Sequence, residues 1–398
     1  MIQSTPRPGA ERRHDVVIRG AGVVGQTLAL LLARERLKVA LVAPPRPASA
    51  APDVRAYAIN TLGREVLRSV RAWPEDAGPQ ADPAQAADTA VTPVTAMEVH
   101  GDGEGEICFS AAEQGAEALT WIVDVPALER RLAHAVHFQG SIDVLEQEPG
   151  QPAALTVVCE GRRSRTREEL GIDYDSHPYP HKAIAARLTC EQGHGGVARQ
   201  WFTGSEILAL LPLGGPQGNS VALVWSLETA QAEHWLQQPP ETLATAVQER
   251  CGGVLGAMRM QGPAQAWPLE LARARRWIAS TGRGGVVLAG DAAHAMHPLA
   301  GQGLNVGLAD VAELARILRQ REAWRSVGDT RLLRRYERAR QADVQLMGWL
   351  TDGLFGLFSL ADSRVQALRN WGMSGVNHLG PLKHWLVRQA MGRPVQAD

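Results

Sequence analysis

An apolar strand that leads into a glycine-rich turn limits the folds that this 398-residue chain can adopt. Residues 15–18 read DVVI, residues 20–25 read GAGVVG, and an apolar helical segment continues to Leu32. In this strand–turn–helix context the GxGxxG spacing predicts a dinucleotide site, because the glycines let a pyrophosphate approach the positive end of the helix. The residues expected to admit the pyrophosphate are Gly20, Gly22 and Gly25. An ordinary β–α turn is the alternative, since glycine-rich turns are common.

A second glycine-rich segment, residues 290–305, reads GDAAHAMHPLAGQGLN. It follows an apolar run at residues 286–289 that is typical of a buried strand. A helical pattern comes next, and its apolar face is formed by Leu304, Leu308, Val311, Leu314 and Leu318. A strand, a Gly/Asp loop and a helix start can direct backbone N–H groups toward an anion, and glycines let the backbone approach a flat ring. The segment therefore predicts a flavin site.

These two segments, in this order, resemble those of the class A flavoprotein aromatic hydroxylases, which have the para-hydroxybenzoate hydroxylase fold. Residues 297–303, HPLAGQG, are most similar to the ubiquinone-biosynthesis ring hydroxylases of that group. Residues 53–60, DVRAYAIN, resemble the family segment in which an arginine lies beside the flavin. Further similar segments are Phe202 with residues 211–213, residues 267–269, residues 367–369 and residues 382–392. The resemblance extends over residues 14–395.

The resemblance implies an α/β fold, in which a Rossmann-type FAD-binding domain carries an inserted, mostly antiparallel β-sheet substrate domain and C-terminal helices. The sequence itself predicts strands within residues 182–227, a helix at 121–135, a long loop at 73–95 and helices from Asp329 onward. The predicted domain bounds are a disordered leader at 1–14, a discontinuous FAD-binding domain at 15–75, 105–180 and 275–345, the substrate domain at 76–104 and 181–274, and a C-terminal helical region at 346–398.

The resemblance also implies a reaction. Enzymes of this family reduce FAD with NADPH or NADH, and the reduced flavin reacts with O2 to give a C4a-hydroperoxide that hydroxylates an electron-rich ring. For the ubiquinone-biosynthesis group the implied substrate is a polyprenylated phenol, and a smaller soluble phenol is the alternative. The protein's own tasks are to position the ring, to stabilise developing negative charge and to exclude water.

Specific roles follow from the same resemblance. Asp291 would bind ribityl or pyrophosphate oxygens, and Arg55 would place a positive charge near the flavin and the substrate. A surface arginine in a loop is the alternative for Arg55. His297 would shape the flavin loop, Pro298 would line the reaction face, and no metal is expected because no HExxH pattern is present. The predicted catalytic residues are Arg55, His297 and Pro298, and the predicted cofactor-binding residues are Gly20, Gly22, Gly25, Arg55, Glu160, Asp291, Pro298, Gly301, Gln302, Gly303, Leu304 and Asn305.

Three positions depart from the family pattern. The second strand ends at Ala43, where dinucleotide folds usually have an acid that binds the ribose. The family's A-D-G-x-x-S-x-x-R segment reads CEGRRSRTR at residues 159–167, with Glu160 in place of aspartate. The family's glutamine two residues after a tyrosine is replaced, since residues 179–181 read YPH. We therefore expect a modest FAD affinity.

An accessory role is the alternative to catalysis. The departures at Ala43 and Glu160, together with an apolar C-terminal region, are also typical of a flavin-binding or flavin-free subunit of a quinone-biosynthesis complex. The close match of residues 290–305 to a flavin motif favours the hydroxylase, because a flavin-free protein would not need that motif.

Composition predicts a cytoplasmic enzyme. The formal net charge of −1 gives no electrostatic case for binding nucleic acid. The cysteines form no CxxC pair, which argues against a structural zinc site or a secreted disulfide scaffold; they are Cys108, Cys159, Cys190 and Cys251.

The apolar segment at residues 344–360 is interrupted by Asp352, Gly353 and Gly356. It predicts a helix packed on the protein itself or, as the alternative, a surface that contacts the inner membrane or a ubiquinone-biosynthesis complex.

Overall fold

The structure is a computed structural model, and it describes residues 14–43, 53–74, 91–101, 105–282, 284–295 and 303–359, with side chains as far as Gln345. The helices in these ranges are α1 (Val23–Arg34), α2 (Thr61–Ser69), α3 (Val125–His137), α4 (Arg165–Glu169), α5 (Thr229–Gln237), α6 (Pro240–Arg250), α7 (Gly303–Arg319) and α8 (Thr330–Ser359). Among these helices, none is long and apolar enough to cross a membrane.

The strands of the same ranges form three sheets. They are β1 (Val16–Arg19), β2 (Val39–Val42), β3 (Ala56–Ile59), β4 (Val91–Val94), β5 (Ala96–His100), β6 (Glu106–Ser110), β7 (Thr120–Asp124), β8 (Ile142–Leu145), β9 (Leu155–Val158), β10 (Tyr174–Cys190), β11 (Val197–Thr203), β12 (Glu206–Leu213), β13 (Ser220–Glu228), β14 (Met258–Met260), β15 (Gln265–Ala274), β16 (Ile278–Thr281), β17 (Gly284–Leu288) and β18 (His294–Ala295).

A six-stranded sheet carries both glycine-rich turns. Its order is β16-β17-β9-β1-β2-β8, and only the pair β16–β17 is antiparallel. Consecutive residues of β1 are buried, as expected for a parallel sheet whose two faces are both covered. Helices α1 and α7 pack closely, because a Cβ on Gly307 of α7 would lie 2.8 Å from Val24 of α1. The starts of the two helices are therefore near each other.

A nine-stranded sheet forms the second layer. Its order is β18-β15-β10-β13-β12-β11-β5-β6, with β14 beside β10, and only β5 and β11 pair in parallel. Trp225 lies fully buried in the core between this sheet and helices α5 and α6. A small antiparallel sheet, β3-β7-β4, is the third. The predominance of antiparallel strand pairs is expected of a mostly antiparallel inserted domain.

These sheets confirm the predicted fold class, in which a Rossmann-type domain is joined to a mostly antiparallel sheet and followed by helices. Two local predictions were wrong. Residues 121–124, predicted as the start of a helix, belong to β7, because Ile122 and Val123 are buried between β3 and β4 and Asp124 caps α3 instead. Residues 91–94 form β4 rather than part of a loop. The domain bounds stay a prediction.

His194 gives the fold a dependence on pH. Its Nε2 lies 2.5 Å from the carbonyl oxygen of Leu213, and its Nδ1 accepts a hydrogen bond from Gly196 N at 3.0 Å. Only the neutral ring satisfies both contacts. Burial lowers the pKa of His194 below its ordinary value of 6.5. The unfolded chain therefore binds this proton more readily, so the stabilisation is complete above about pH 6.5 and is lost as the pH falls below it.

We expect the free energy of unfolding of His194→Gln to vary less between pH 7 and pH 5 than that of the wild-type protein. Urea denaturation at a series of pH values measures the difference. His177→Gln is the matched control, because His177 is exposed on β10. Equal pH slopes for the wild-type protein and His194→Gln would contradict the prediction.

Candidate active site

The β1–α1 turn combines two tightly packed glycines with an open one. Gly20 has a φ of 106°, and a Cβ there would lie 2.3 Å from the carbonyl oxygen of Cys159. A Cβ on Gly25 would lie 1.9 Å from the carbonyl oxygen of Gly20. Gly22 is the N-cap of α1; among the described residues no side chain caps the helix there, and none comes within 4 Å of its Cβ position. The positive end of α1 therefore faces a space that fits a phosphate of FAD.

The turn opens into a cleft of ≈ 1540 Å³. Its walls come from the carboxyl ends of β1, β2, β8 and β9 and from α3, and Gly22, Ala43, Asp53 and Glu160 are among the lining residues. Dinucleotides bind outside the carboxyl ends of strands in sheets of this type. The position of the cleft and its open helix end fit the adenosine and pyrophosphate parts of FAD.

The second glycine-rich loop starts directly after β17. Gly290 has a φ of 61°, and a 3-10 turn covers Gly290–Ala292. The Asp291 carboxylate is partly exposed and lies 3.4 Å from Nε of Arg162, while the hydroxyl of Tyr174 donates to the backbone oxygen of Asp291 at 2.9 Å. Asp291 is therefore held through its backbone, and its side chain can still accept hydrogen bonds from a ligand hydroxyl.

A buried ionic network holds the same loop in place. The Asp310 carboxylate on α7 is fully buried and accepts a hydrogen bond from Gly290 N at 2.9 Å. Nε2 of His294 lies 2.6 Å from Asp310 Oδ2, and Arg340 on α8 donates from Nε to Oδ1 at 2.8 Å. Burial acts to raise the pKa of Asp310, but the neighbouring His294 and Arg340 outweigh it and lower the pKa. Asp310 therefore stays ionised and joins the loop to α7 and α8.

Strand β18 ties the loop to the nine-stranded sheet. Ala295 and His294 pair with Ala272 and Arg273 of β15. The His294 ring also lies 5.0 Å from the Trp277 ring, centroid to centroid. Within the described ranges no group of three or more His, Cys, Asp or Glu could hold a metal ion. His294 thus contacts the buried Asp310 carboxylate and packs against the Trp277 ring at the junction of two sheets.

Arg55 is fixed by a bidentate ion pair. Its Nε and NH2 donate to the two carboxylate oxygens of Asp53 at 2.9 and 2.6 Å, and its NH1 donates to the Tyr57 hydroxyl at 3.1 Å. The hydrogen bond to Asp53 raises the pKa of Arg55, so its charge is permanent. Burial raises the pKa of Tyr57, and the Asp291 charge adds to this rise. The structure thus brings Arg55 and Asp291, two predicted site residues, to one region.

Glu160 and Asn305 have partners within the protein. Both oxygens of Glu160 accept hydrogen bonds from Thr166, at 2.7 Å from its Oγ1 and 3.0 Å from its N, and Ser164 Oγ donates at 2.7 Å. Asn305 accepts from Asn60 N at 3.0 Å and donates to the Ala58 carbonyl at 2.7 Å. Glu160 thus supports the start of α4, while Asn305 joins α7 to β3 and α2.

Of the other residues predicted in the second glycine-rich segment, the structure describes Gly303 and Leu304. Gly303 begins α7, where no described residue lies within 4 Å of its Cβ position, and Leu304 is buried. The remaining predictions lie outside the described residues; they are His297, Pro298, Gly301 and Gln302.

Sequence reasoning missed several residues around the loop. Arg167 donates to the carbonyl oxygens of Ala292 and Arg162, at 3.2 and 2.8 Å, and its guanidinium lies 3.6 Å from the centre of the Tyr174 ring. The final arginine of the CEGRRSRTR segment was a signal for Arg167. Asp310 had a weaker signal, as an acid among the apolar residues of α7. Arg162 had none.

Comparisons with known proteins agree with this geometry. The FAD binding domain family matches residues 13–348. Ubiquinone hydroxylase UbiL of Rhodospirillum rubrum is 32% identical, over 96% of this chain and 90% of that protein. The 3-demethoxyubiquinol 3-hydroxylase of Escherichia coli is 29% identical, over 95% of this chain and 98% of that protein. The crystal structure of PqsL from Pseudomonas aeruginosa has the same fold, with a TM-score of 0.70 and 20% identity over 91% of this chain and 100% of that one.

The family match covers most of the chain, and the β1–α1 turn leaves the start of α1 open among the described residues. The chain therefore belongs to the FAD binding domain family and is an FAD-dependent aromatic monooxygenase.

Proposed function

We propose that this enzyme hydroxylates the ring of a polyprenylated phenol in ubiquinone biosynthesis, with NADPH or NADH as the electron donor. The observation that supports this most is the similarity, along nearly the whole chain, to a ubiquinone hydroxylase and to a 3-demethoxyubiquinol 3-hydroxylase. When bound, FAD would supply the redox chemistry, passing two electrons from the nicotinamide to O2 and one oxygen atom to the ring. The second oxygen atom leaves as water.

The residues that would hold FAD lie along the cleft and the second loop. Gly20, Gly22 and Gly25 would admit the pyrophosphate at the start of α1, and Asp291 would accept hydrogen bonds from ribityl hydroxyls. We place the substrate ring beside the second loop, because β18 joins that loop to the nine-stranded sheet. His297, Pro298, Gly301, Gln302 and Gly303 remain part of this proposed flavin loop.

Arg55 would stabilise negative charge that develops near the flavin and the phenol. We expect Arg55→Gln to lower kcat about 10- to 100-fold, which corresponds to about 1.4–2.7 kcal/mol of transition-state stabilisation. Steady-state kinetics with a saturating phenol measure this change, and absorbance measures the FAD content. Arg316→Gln is the control, because Arg316 forms an exposed ion pair with Glu313 on α7. An unchanged kcat for Arg55→Gln would show that Arg55 is a surface arginine without this role.

An isotope experiment tests the proposed reaction. The FAD-loaded enzyme is mixed with NADPH or NADH and a series of prenylated phenols in detergent under ¹⁸O2, with a small soluble phenol in parallel. We expect one ¹⁸O atom in the ring of a prenylated product, measured by mass spectrometry. Labelling of the soluble phenol alone would overturn the polyprenylated substrate, and the absence of any labelled product would overturn the hydroxylase.

A polyprenylated substrate is found in a membrane, so the enzyme has to reach a lipid surface or receive the substrate from a partner. We propose that the C-terminal helical region, residues 346–398, makes this peripheral contact with the inner membrane or with a ubiquinone-biosynthesis complex. The apolar composition of residues 344–360 supports it. Co-flotation with lipid vesicles tests the membrane contact, and a protein that stays at the bottom of the gradient would contradict it.

A further inference from the structure

The end of β2 has no carboxylate for a ribose. Ala43 occupies the position where dinucleotide folds usually place an acid that binds ribose hydroxyls. Strand β2 lies between β1 and β8, and Ala43 N donates to the Leu145 carbonyl at 2.8 Å. Ala43 lines the same cleft as the open Gly22. A ligand ribose in this cleft would therefore need its carboxylate from another element.

Arg19 and Glu148 form a bidentate ion pair in that cleft. Arg19 Nε donates to Glu148 Oε1 at 2.7 Å, and Arg19 NH2 lies 2.6 Å from Glu148 Oε2. Both residues line the cleft, and their side chains are 24% and 37% exposed. A bidentate pair fixes the orientation of the carboxylate as well as its position. Glu148 is thus held in the cleft although its side chain is partly open to solvent.

The sheet register places this ion pair over the end of β2. Arg19 is in register with Val42, and Val42 is in register with Leu145. Neighbouring strands are about 4.8 Å apart, so β1 and β8 are separated by roughly 10 Å. A contact between Arg19, which ends β1, and Glu148, which follows β8, has to extend across the carboxyl end of β2. Ala43 lines the cleft at the end of β2 and has a short side chain.

Arg19 is held from a second side. Its NH1 donates to Oγ1 of Thr166 at 2.5 Å, and the same hydroxyl donates to Glu160 Oε1 at 2.7 Å. Glu160, another departure from the family pattern, is therefore linked to Arg19 through Thr166. Each Glu148 oxygen uses one lone pair for Arg19, so both can still accept a hydrogen bond from a ligand hydroxyl.

We propose that Glu148, oriented by Arg19, binds the adenosine ribose hydroxyls of FAD in place of the acid that is missing at Ala43. This inference rests on the proposed placement of FAD in the cleft. In this arrangement the carboxylate that binds the ribose comes from the segment after β8 and not from the end of β2. The ion pair with Arg19 orients it across the carboxyl end of β2.

Flavin fluorescence titrations of the apoprotein test this assignment without any turnover. We expect Glu148→Gln to weaken FAD binding about tenfold, because a hydrogen bond to a charged acceptor is lost, and to leave the binding of FMN, which has no adenosine, unchanged. Glu146→Gln is the matched control, since Glu146 is another carboxylate of the same cleft. The double variant Ala43→Glu with Glu148→Gln should recover most of the lost FAD affinity.

The outcomes separate this inference from the proposed function. A wild-type protein that takes up no FAD would overturn both. If the wild-type protein binds FAD and Glu148→Gln binds it equally tightly, only the role of Glu148 is overturned. The same holds if Glu146→Gln weakens FAD binding instead. A loss of FAD and FMN affinity together with a lower melting temperature would show that the Arg19–Glu148 pair is structural only.

Discussion

Replacing Asp310 by asparagine is expected to lower the free energy of unfolding by about 3–5 kcal/mol, the usual cost of breaking a buried ion pair on one side. The Arg340 guanidinium would then lie buried beside a neutral amide, and the contact with His294 would lose its charge. Gly290 N needs an acceptor at this position. It would keep one only if the oxygen of the new amide, and not its NH2 group, faced Gly290. Urea denaturation of the FAD-free protein measures the change.

Glu313→Gln is the matched control for Asp310→Asn. Glu313 lies one turn further along α7 and pairs with Arg316 at the surface. Exposed pairs of this kind contribute about 0–1 kcal/mol, so the control should be nearly as stable as the wild-type protein. If the two variants lost equal stability, the Asp310 network would not hold the second loop in the way that we describe.

Gly22→Ala is expected to weaken FAD binding at least tenfold while changing the stability by less than about 1 kcal/mol. Gly22 has a φ of −74°, which alanine adopts without strain, and no residue that the structure describes lies within 4 Å of the new Cβ. The methyl group would instead occupy the space proposed for the pyrophosphate. Isothermal titration of the apoprotein with FAD, alongside thermal unfolding, separates the two effects.

Gly25→Ala gives the contrasting result. Its Cβ would lie 1.9 Å from the carbonyl oxygen of Gly20, so the turn itself has to move and we expect poor folding rather than a selective loss of FAD affinity. Tight FAD binding by Gly22→Ala would contradict the placement of the pyrophosphate at the start of α1.

Much of the fold could be predicted from the sequence, because both glycine-rich segments are local patterns whose neighbours in the chain complete the motif. The strand–turn–helix at Gly20–Gly25 needs only about twenty consecutive residues to be read. The secondary structure of residues 120–124 was harder to predict. An apolar run of that length suits a strand or a helix, and the pairing of β7 with both β3 and β4 decides between them.

Contacts between distant side chains of the site could not be predicted from the sequence. Asp310 is 20 residues from Gly290 and Arg340 a further 30, so their network depends on how α7 and α8 pack. The Arg19–Glu148 pair joins residues separated by 129 positions. For Glu160 the motif predicted a residue at the cleft, but it did not predict the hydrogen bonds that Glu160 accepts from Ser164 and Thr166.

The absorbance spectrum of the purified protein, recorded after FAD is added and the excess removed, tests the central claim most directly. We expect a bound-flavin spectrum that NADPH or NADH bleaches in the absence of O2 and that returns when O2 is admitted. A colourless protein that takes up no FAD, although correctly folded, would contradict the account. It would instead support an accessory subunit in which the changes at Ala43 and Glu160 have removed cofactor binding.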